Sequence, residues 1–371
     1  MNGPGLPRAI RYLPLVPRPR PAALPLQQRL TELDQLVHQA QHAHDAAEGM
    51  TRACEAMNKA ALLASDTGHP DVAAALCRQQ YEAFLSAVPL TTQEAIFALQ
   101  PLVNLGRLAI RTGNPSDAYT LLESLLAAAD HDAPTHVLGR PCPVGGLVAS
   151  AIDRAELRRF LWAVLLADGT RALCAAGRWQ DAVEHLHHYN GIGTRLLDGR
   201  QVAVLSALHR RDPDTAARLL ATTGCTQGWE HAVAACLTTA THLVSGQDSS
   251  AATTMVDAVL HLQPTPGGAV FAARLGVLAC ELAPEHQTLV NQVLFGVLES
   301  DDAHAANAVL GSHVVALKST KDQRQALRER VAQAELAGNE EPPGLDARLE
   351  QLCTKAAGFL ACRLRNTAEL S

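Results

Sequence analysis

Histidine is numerous in this chain, with 16 copies, and two runs of it fall at ligand-like spacing. His38, His42 and His44 form one run, and His185, His187 and His188 the other, with His209 further along. His38 and His42 are four apart and would share a helix face, as zinc ligands do. No glutamate intervenes in the His-Glu-x-x-His manner and no third ligand is identifiable. These histidines therefore read as solvated or helix-capping groups, and no metal or cofactor is expected. Gly191-Ile192-Gly193-Thr194-Arg195 begins like a phosphate-cradling loop. Its surroundings are helical rather than strand-like, and Leu196 stands at the third glycine position, so it reads as a turn between helices. Asp168-Gly169 and Asp198-Gly199 offer carboxylates that could act as acid or base; the other reading is that each glycine lets its helix approach a neighbour. No catalytic residue is assigned.

The elements that carry these groups are helices. Five places share a turn signature, a breaker followed five positions later by alanine: Gly68 to Ala73, Gly113 to Ala118, Gly177 to Ala182, Arg211 to Ala216, and Gly246 to Ala251. Two successive intervals are 34 and 35 residues. A period of that length marks paired helices that bury their apolar faces by stacking on neighbours. A first helix is predicted from Leu26 or Gln27 to Glu48, with Gly49 ending or bending it. Pairs follow at 51–67 with 70–87, 92–112 with 115–129, 153–176 with 179–190, 194–210 with 213–222, and 228–244 with 248–262. Helices continue over 269–282, 284–299, 302–316, 321–337 and 345–365.

The stretch Leu102-Val103-Asn104-Leu105-Gly106-Arg107-Leu108-Ala109-Ile110-Arg111-Thr112-Gly113 resembles the tetratricopeptide repeat, with Ala118 and Leu122 at the helix crossing. The resemblance covers about residues 50–262. It implies an all-α, right-handed α-solenoid of antiparallel helix pairs, with a long insertion between the second and third pairs. It also implies that residues 10, 9, 6 and 2 positions before each turn residue face the concave surface. Those are Asn58, Lys59 and Asp66; Asn104, Arg107 and Arg111; Asp168 and Arg171; and then the more apolar Gln201, Val202, Leu205, Cys236, Leu237 and Ala240. Asparagine pairs with a peptide backbone and arginine with carboxylates, so Asn58, Lys59, Asn104, Arg107, Arg111, Asp168 and Arg171 are candidate contacts for an extended peptide with an acidic part and an apolar part. The other reading is that they tie neighbouring repeats together. Val103 and Ala167 stand where chaperone-binding repeats carry lysines, so a cochaperone role is not implied. Gly177-Arg178-Trp179-Gln180-Asp181-Ala182, in an Ala-, Arg- and His-rich chain, is similar to actinobacterial repeat proteins that act as regulators or as accessory proteins of peptide natural-product pathways, lanthipeptides among them. Trp179 is expected to be buried at its turn.

Composition narrows the classes further. Hydrophobic residues are 47% and aromatics 4%, so Ala, Leu and Val fill the core. A net charge of −6 argues against nucleic acid as a partner. Nine scattered cysteines without a Cys-x-x-Cys pair read as reduced core residues of a cytoplasmic protein. No apolar run approaches the roughly 20 residues that span a bilayer.

Residues 1–28 form a basic arm whose prolines interrupt any hydrophobic region of a signal peptide. It is expected as a disordered tail, the sharper alternative being an arm that docks on this protein or on a partner. The solenoid is placed at 29–316 and capping helices at 317–371. The 131–151 insertion is expected to form a flap, with a short hairpin at most. The function expected is non-enzymatic binding of a peptide or protein, including presentation of a precursor peptide to a modifying enzyme. The alternatives are a catalytic subunit using Asp168 and a regulatory repeat protein.

Overall fold

The computed structural model describes residues 6–18, 20–129, 135–137, 140–247, 250–263, 265–336 and 344–368. Apart from one hairpin the described chain is helical. In order the elements are α1 (Leu26–His42), α2 (Ala46–Asp66), α3 (Pro70–Leu85), α4 (Thr92–Arg111), α5 (Pro115–Ala128), β1 (Thr135–Val137), β2 (Arg140–Cys142), α6 (Ala151–Val164), α7 (Thr170–Ala175), α8 (Trp179–His188), α9 (Asp198–His209), α10 (Pro213–Ala221), α11 (Gly228–Ser245), α12 (Ser250–Leu260), α13 (Ala269–Leu282), α14 (Gln287–Leu298), α15 (Ala303–Leu310), α16 (His313–Lys318), α17 (Lys321–Gln333) and α18 (Leu345–Ala368). A single π turn, Leu165–Gly169, joins α6 to α7.

The five predicted turn residues all adopt the left-handed conformation, with φ of 89° at Gly68, 87° at Gly113, 71° at Gly177, 57° at Arg211 and 69° at Gly246. At four of them the next amide reaches back to the carbonyl five residues earlier, as in His69 to Ala64 and Asn114 to Ala109, both at 2.8 Å. This closes the preceding helix by the Schellman pattern and frees the chain to start the next one. Pro70, Pro115 and Pro213 then occupy a first helical position, where the missing N–H costs nothing. Ala73, Ala118, Ala182 and Ala216 are buried as expected. In the fifth copy Ala252 is buried, one residue later than predicted, and Ala251 is half-buried. A Cβ on Gly106 would sit 3.2 Å from Leu122, so the Leu-Gly pair does bring α4 and α5 together.

The chain divides into two compact bodies, residues 26–176 with 337–371, and residues 1–25 with 177–336. This differs from the expected order of arm, solenoid and cap. In the first body α18 packs on α1, α2 and α3 rather than on the last repeat. Its apolar stripe of Leu345, Leu349, Leu352, Cys353, Ala356, Leu360 and Leu364 is buried there. Gly49 does not end a helix. It lies inside α2, where a Cβ would come within 2.7 Å of Phe359 of α18. Polar contacts tie α18 to its neighbours: Arg348 meets both carboxylate oxygens of Asp34 at 2.6 Å, and His69 Nδ1 lies 2.5 Å from Asp346.

The insertion holds the hairpin, but residues 142–148 are no flap. Cys142, Val144, Leu147 and Val148 are buried, and the Leu90 amide donates to the Leu147 carbonyl at 2.7 Å. Residues 130–134 and 138–139 of that segment lie outside the described residues.

The second body has one continuous apolar core drawn from α9, α11, α13, α14 and α15, and it includes the N-terminal arm. Residues 6–18 and 20–25 are packed into the fold instead of forming a tail. Ala9, Ile10, Leu13 and Leu15 give the arm apolar side chains to bury, each worth up to about 1.5–3 kcal/mol for the larger ones. Residues 1–5 and Pro19 lie outside the described residues. Trp179 is half-buried rather than enclosed; its ring stacks on His209 with centroids 4.2 Å apart.

Candidate functional site

In the first body, the predicted concave residues fall into one polar ladder across α2, α4, the π turn and α7. Asn104 donates from Nδ2 to Asn58 Oδ1 at 3.1 Å, and Arg107 Nη1 donates to Asn104 Oδ1 at 3.2 Å. Arg107 continues to Asp168 through Nε at 3.0 Å and Nη2 at 2.8 Å, and Arg171 Nη1 reaches the other Asp168 oxygen at 3.5 Å. Asp168 is held on the π turn, a local widening of the helix that recurs at functional sites. Gly169 beside it is buried, and the turn packs on α5.

A second node sits one helical turn further along. Asp66 accepts from Arg111 Nη1 at 3.0 Å and from Arg29 of α1 at 2.7 Å, and Arg111 also donates to Ser65 at 2.8 Å. Both carboxylates are nearly closed to solvent, with side chains 2% exposed for Asp66 and 5% for Asp168, while Arg107 and Arg111 remain 54% and 43% exposed. Buried anions thus hold exposed cations by their inner edges. Lys59 is bound differently, bridging Glu32 of α1 at 2.5 Å and Glu55 at 3.0 Å. Burial pulls its pKa down, but the hydrogen bonds that it donates to those carboxylates outweigh burial and leave the ammonium above its ordinary value.

The structure therefore brings Asn58, Asn104, Arg107, Asp168 and Arg171 into one connected network and Arg111 into the Asp66 node. Sequence reasoning missed Arg29 and Ser65. The pairing of Arg29 with Asp66 joins α1 to α2 and leaves no periodic signal.

The apolar positions of the later repeats lie in the second body and are not an open surface. Gln201, Val202, Leu205, Cys236, Leu237 and Ala240 are all 0% exposed. The arm runs within the same core. Gln201 Oε1 accepts from the Leu15 amide at 2.7 Å and Gln201 Nε2 donates to the Leu15 carbonyl at 2.8 Å. Glu281 accepts from the Ala9 amide at 2.8 Å, and Asp198 pairs with Arg18 at 2.7 Å. Asp302, the N-cap of α15, accepts from the Ala23 amide at 3.2 Å, while the Ala303 amide donates to the Ala23 carbonyl at 3.0 Å.

Asp198 is thus a partner for the arm, and a Cβ on Gly199 would collide with the Gly191 carbonyl, so that glycine serves close packing. Gly191–Arg195 is the inter-helix turn expected, tied to Gly224 by main-chain bonds at 2.9 and 3.2 Å. His42 bonds the His38 carbonyl at 2.8 Å and stacks on that ring. Among the described residues no group of three or more His, Cys, Asp or Glu is placed to hold a metal ion. No helix among them is long and apolar enough to cross a membrane.

Compared with protein-family models, with curated proteins and with solved structures, the chain matches none.

Proposed function

We propose that this chain is a non-enzymatic helical-repeat scaffold, of the tetratricopeptide-like solenoid kind, that binds an extended acidic segment of a peptide or protein along the ladder of the first body. One observation carries the reading: Arg107 and Arg111 are anchored by buried carboxylates yet half open to solvent, in line with the Asn58–Asn104 amide pair. Anchoring removes rotamer freedom in advance, so a ligand carboxylate meets a preorganised guanidinium and less entropy is lost on binding. The asparagines add hydrogen-bonding groups suited to a peptide backbone. Presenting a precursor peptide to a modifying enzyme is one form such binding would take.

The competing enzymatic reading depended on Asp168. Its two carboxylate oxygens are engaged by Arg107 and Arg171, which makes it an anchor for cations rather than an acid or base open to substrate. A selection of random 12-residue peptides against the immobilised chain tests the binding reading. Enriched sequences are expected to be rich in Asp and Glu and to lose affinity for the Arg107→Ala, Arg111→Ala double variant. Enrichment of neutral sequences indifferent to those arginines would overturn it.

A further inference from the structure

The contacts made by the arm are of an unusual kind for a segment of a fold. Apart from the 3-10 turn Arg8–Tyr12, whose first amides have no helical acceptor, its described residues 13–18 and 20–25 belong to no helix or strand, so its main-chain groups need partners from elsewhere. Those partners are side chains and a helix terminus remote in sequence: Glu281 at Ala9, Gln201 on both sides of Leu15, and Asp302 with the Ala303 amide at Ala23. A side-chain amide that donates to and accepts from the same residue's main chain reads a backbone without regard to sequence. Selectivity is added by burial of Ile10, Leu13 and Leu15 in the apolar core and by the ion pair of Arg18 with Asp198.

Gln201 gives the second, independent indication. Its side chain is fully buried, where an unpaired amide would cost on the order of 1–3 kcal/mol. Its position makes sense when a peptide backbone lies against it. The contacts to the arm are also acidic, through Glu281, Asp198 and Asp302, and the arm's described Arg8, Arg11, Arg18 and Arg20 make it basic.

We propose that this part of the second body is a peptide-binding groove, that residues 6–25 are its intramolecular ligand, and that it accepts in their place a basic, proline-interrupted extended segment of another protein. The chemistry it selects is two apolar residues two positions apart, as Leu13 and Leu15 are, followed three positions later by arginine. Prolines suit it because they restrict the free chain and remove N–H groups that the groove does not pair. The tethered arm competes at a high effective concentration, of millimolar order for a short flexible link, and so keeps the groove closed to weak ligands. This site is separate from the arginine ladder, and either could fail without the other.

The test uses the full chain with a protease recognition sequence inserted between Pro25 and Leu26, cut only after folding. The probe is a fluorescent synthetic peptide of residues 6–25, followed by anisotropy. The cut protein is expected to keep its circular dichroism spectrum and bind the probe saturably, with affinity for the uncut chain lower by about a hundredfold or more. A probe carrying Leu15→Asp should not bind, and one carrying Arg18→Glu should bind about fivefold more weakly, since that ion pair is partly exposed. An unrelated peptide that keeps the Leu-Pro-Leu-x-Pro-Arg spacing should displace the probe. Loss of helical signal on cutting, or an arm that never exchanges, would make the arm a fixed part of the core and overturn the proposal. Equal binding to cut and uncut chain would overturn it too, because the probe would lie elsewhere. Concentration-dependent dimers that trade arms would replace the foreign ligand with a second copy.

Discussion

Gln201 holds Leu15 by both of its main-chain groups, accepting from the amide at 2.7 Å and donating to the carbonyl at 2.8 Å across 186 residues of chain. Replacing the amide by an apolar side chain of similar size removes two hydrogen bonds and leaves two main-chain groups of the arm unsatisfied. Gln201→Leu is expected to lower stability by about 1–3 kcal/mol. In native-state hydrogen exchange the Leu15 amide should lose most of its protection, whereas amides of α2 and α4 keep theirs. Unchanged protection at Leu15 would contradict the clamp.

The two partners of the Arg107–Asp168 pair are unequally buried, and their substitutions should be unequally costly. Arg107→Ala removes a half-exposed cation and is expected to cost less than about 1 kcal/mol. Asp168→Ala takes away the acceptor that both Arg107 and Arg171 use and is expected to cost about 2 kcal/mol. Urea unfolding of the two variants gives the comparison, and equal costs would remove the case for Asp168 as the anchor.

Glu230 predicts an acid dependence. Burial raises its pKa, but hydrogen bonds from the Thr226 and Gln227 amides, from Arg195 and from the Thr226 hydroxyl outweigh burial and hold the carboxyl below its ordinary 4.5. A depressed carboxyl stabilises the fold fully above its unfolded value, and that contribution is lost as pH falls through the folded value. Glu230→Gln is therefore expected to cost about 2 kcal/mol at neutral pH. The variant should also show a shallower fall in stability between about pH 5 and pH 3. A wild-type-like acid profile would contradict this.

Thiol reactivity should sort the nine cysteines by burial. Cys54, Cys77, Cys142, Cys236, Cys280 and Cys353 are buried, Cys174 and Cys225 half-buried, and Cys362 exposed. Burial pushes the Cys54, Cys77, Cys280 and Cys353 thiols up to about 12. The thiolate is the reacting form, so these should stay silent in the native state. Titration with a chromogenic disulfide near pH 8 is expected to show Cys362 first, Cys174 and Cys225 more slowly, and the six buried thiols only in denaturant. Rapid reaction at Cys54 or Cys77 would refute the packing of α2 and α3.

How much of this was legible in the sequence depended on whether the cause was local. Left-handed turns at Gly68, Gly113, Gly177, Arg211 and Gly246 follow from residues within one helical turn, and most helix ends fall within a few residues of the predicted ones. However, the helix predicted over 302–316 is broken into α15 and α16, the one over 153–176 is interrupted by the π turn, and α9 starts at Asp198 rather than 194. The break at residues 43–45 was missed because Gly49 looked like the stronger terminator, whereas its small size serves Phe359, more than 300 positions away. Charged residues placed at helical spacing before Gly68, Gly113 and Gly177 did come together. The arm was misjudged for the opposite reason. Its prolines and arginines dominate the composition, while the four residues that fix it, Ala9, Ile10, Leu13 and Leu15, are legible only beside the groove that buries them. Gln201 alone could have hinted at it, being a polar residue at the head of the apolar run Val202 to Leu205.

Binding of an acidic extended segment by the anchored arginines of the first body is open to direct measurement. Fluorescence anisotropy of one enriched acidic peptide, titrated with the wild-type chain and with the Arg107→Ala, Arg111→Ala variant at low and high salt, measures it most directly. Binding is expected to be saturable and to weaken at least about tenfold in the variant, where two charge-assisted contacts are lost. It should also weaken with salt, as expected for exposed charges. Affinity unchanged by both the substitutions and the salt would contradict it.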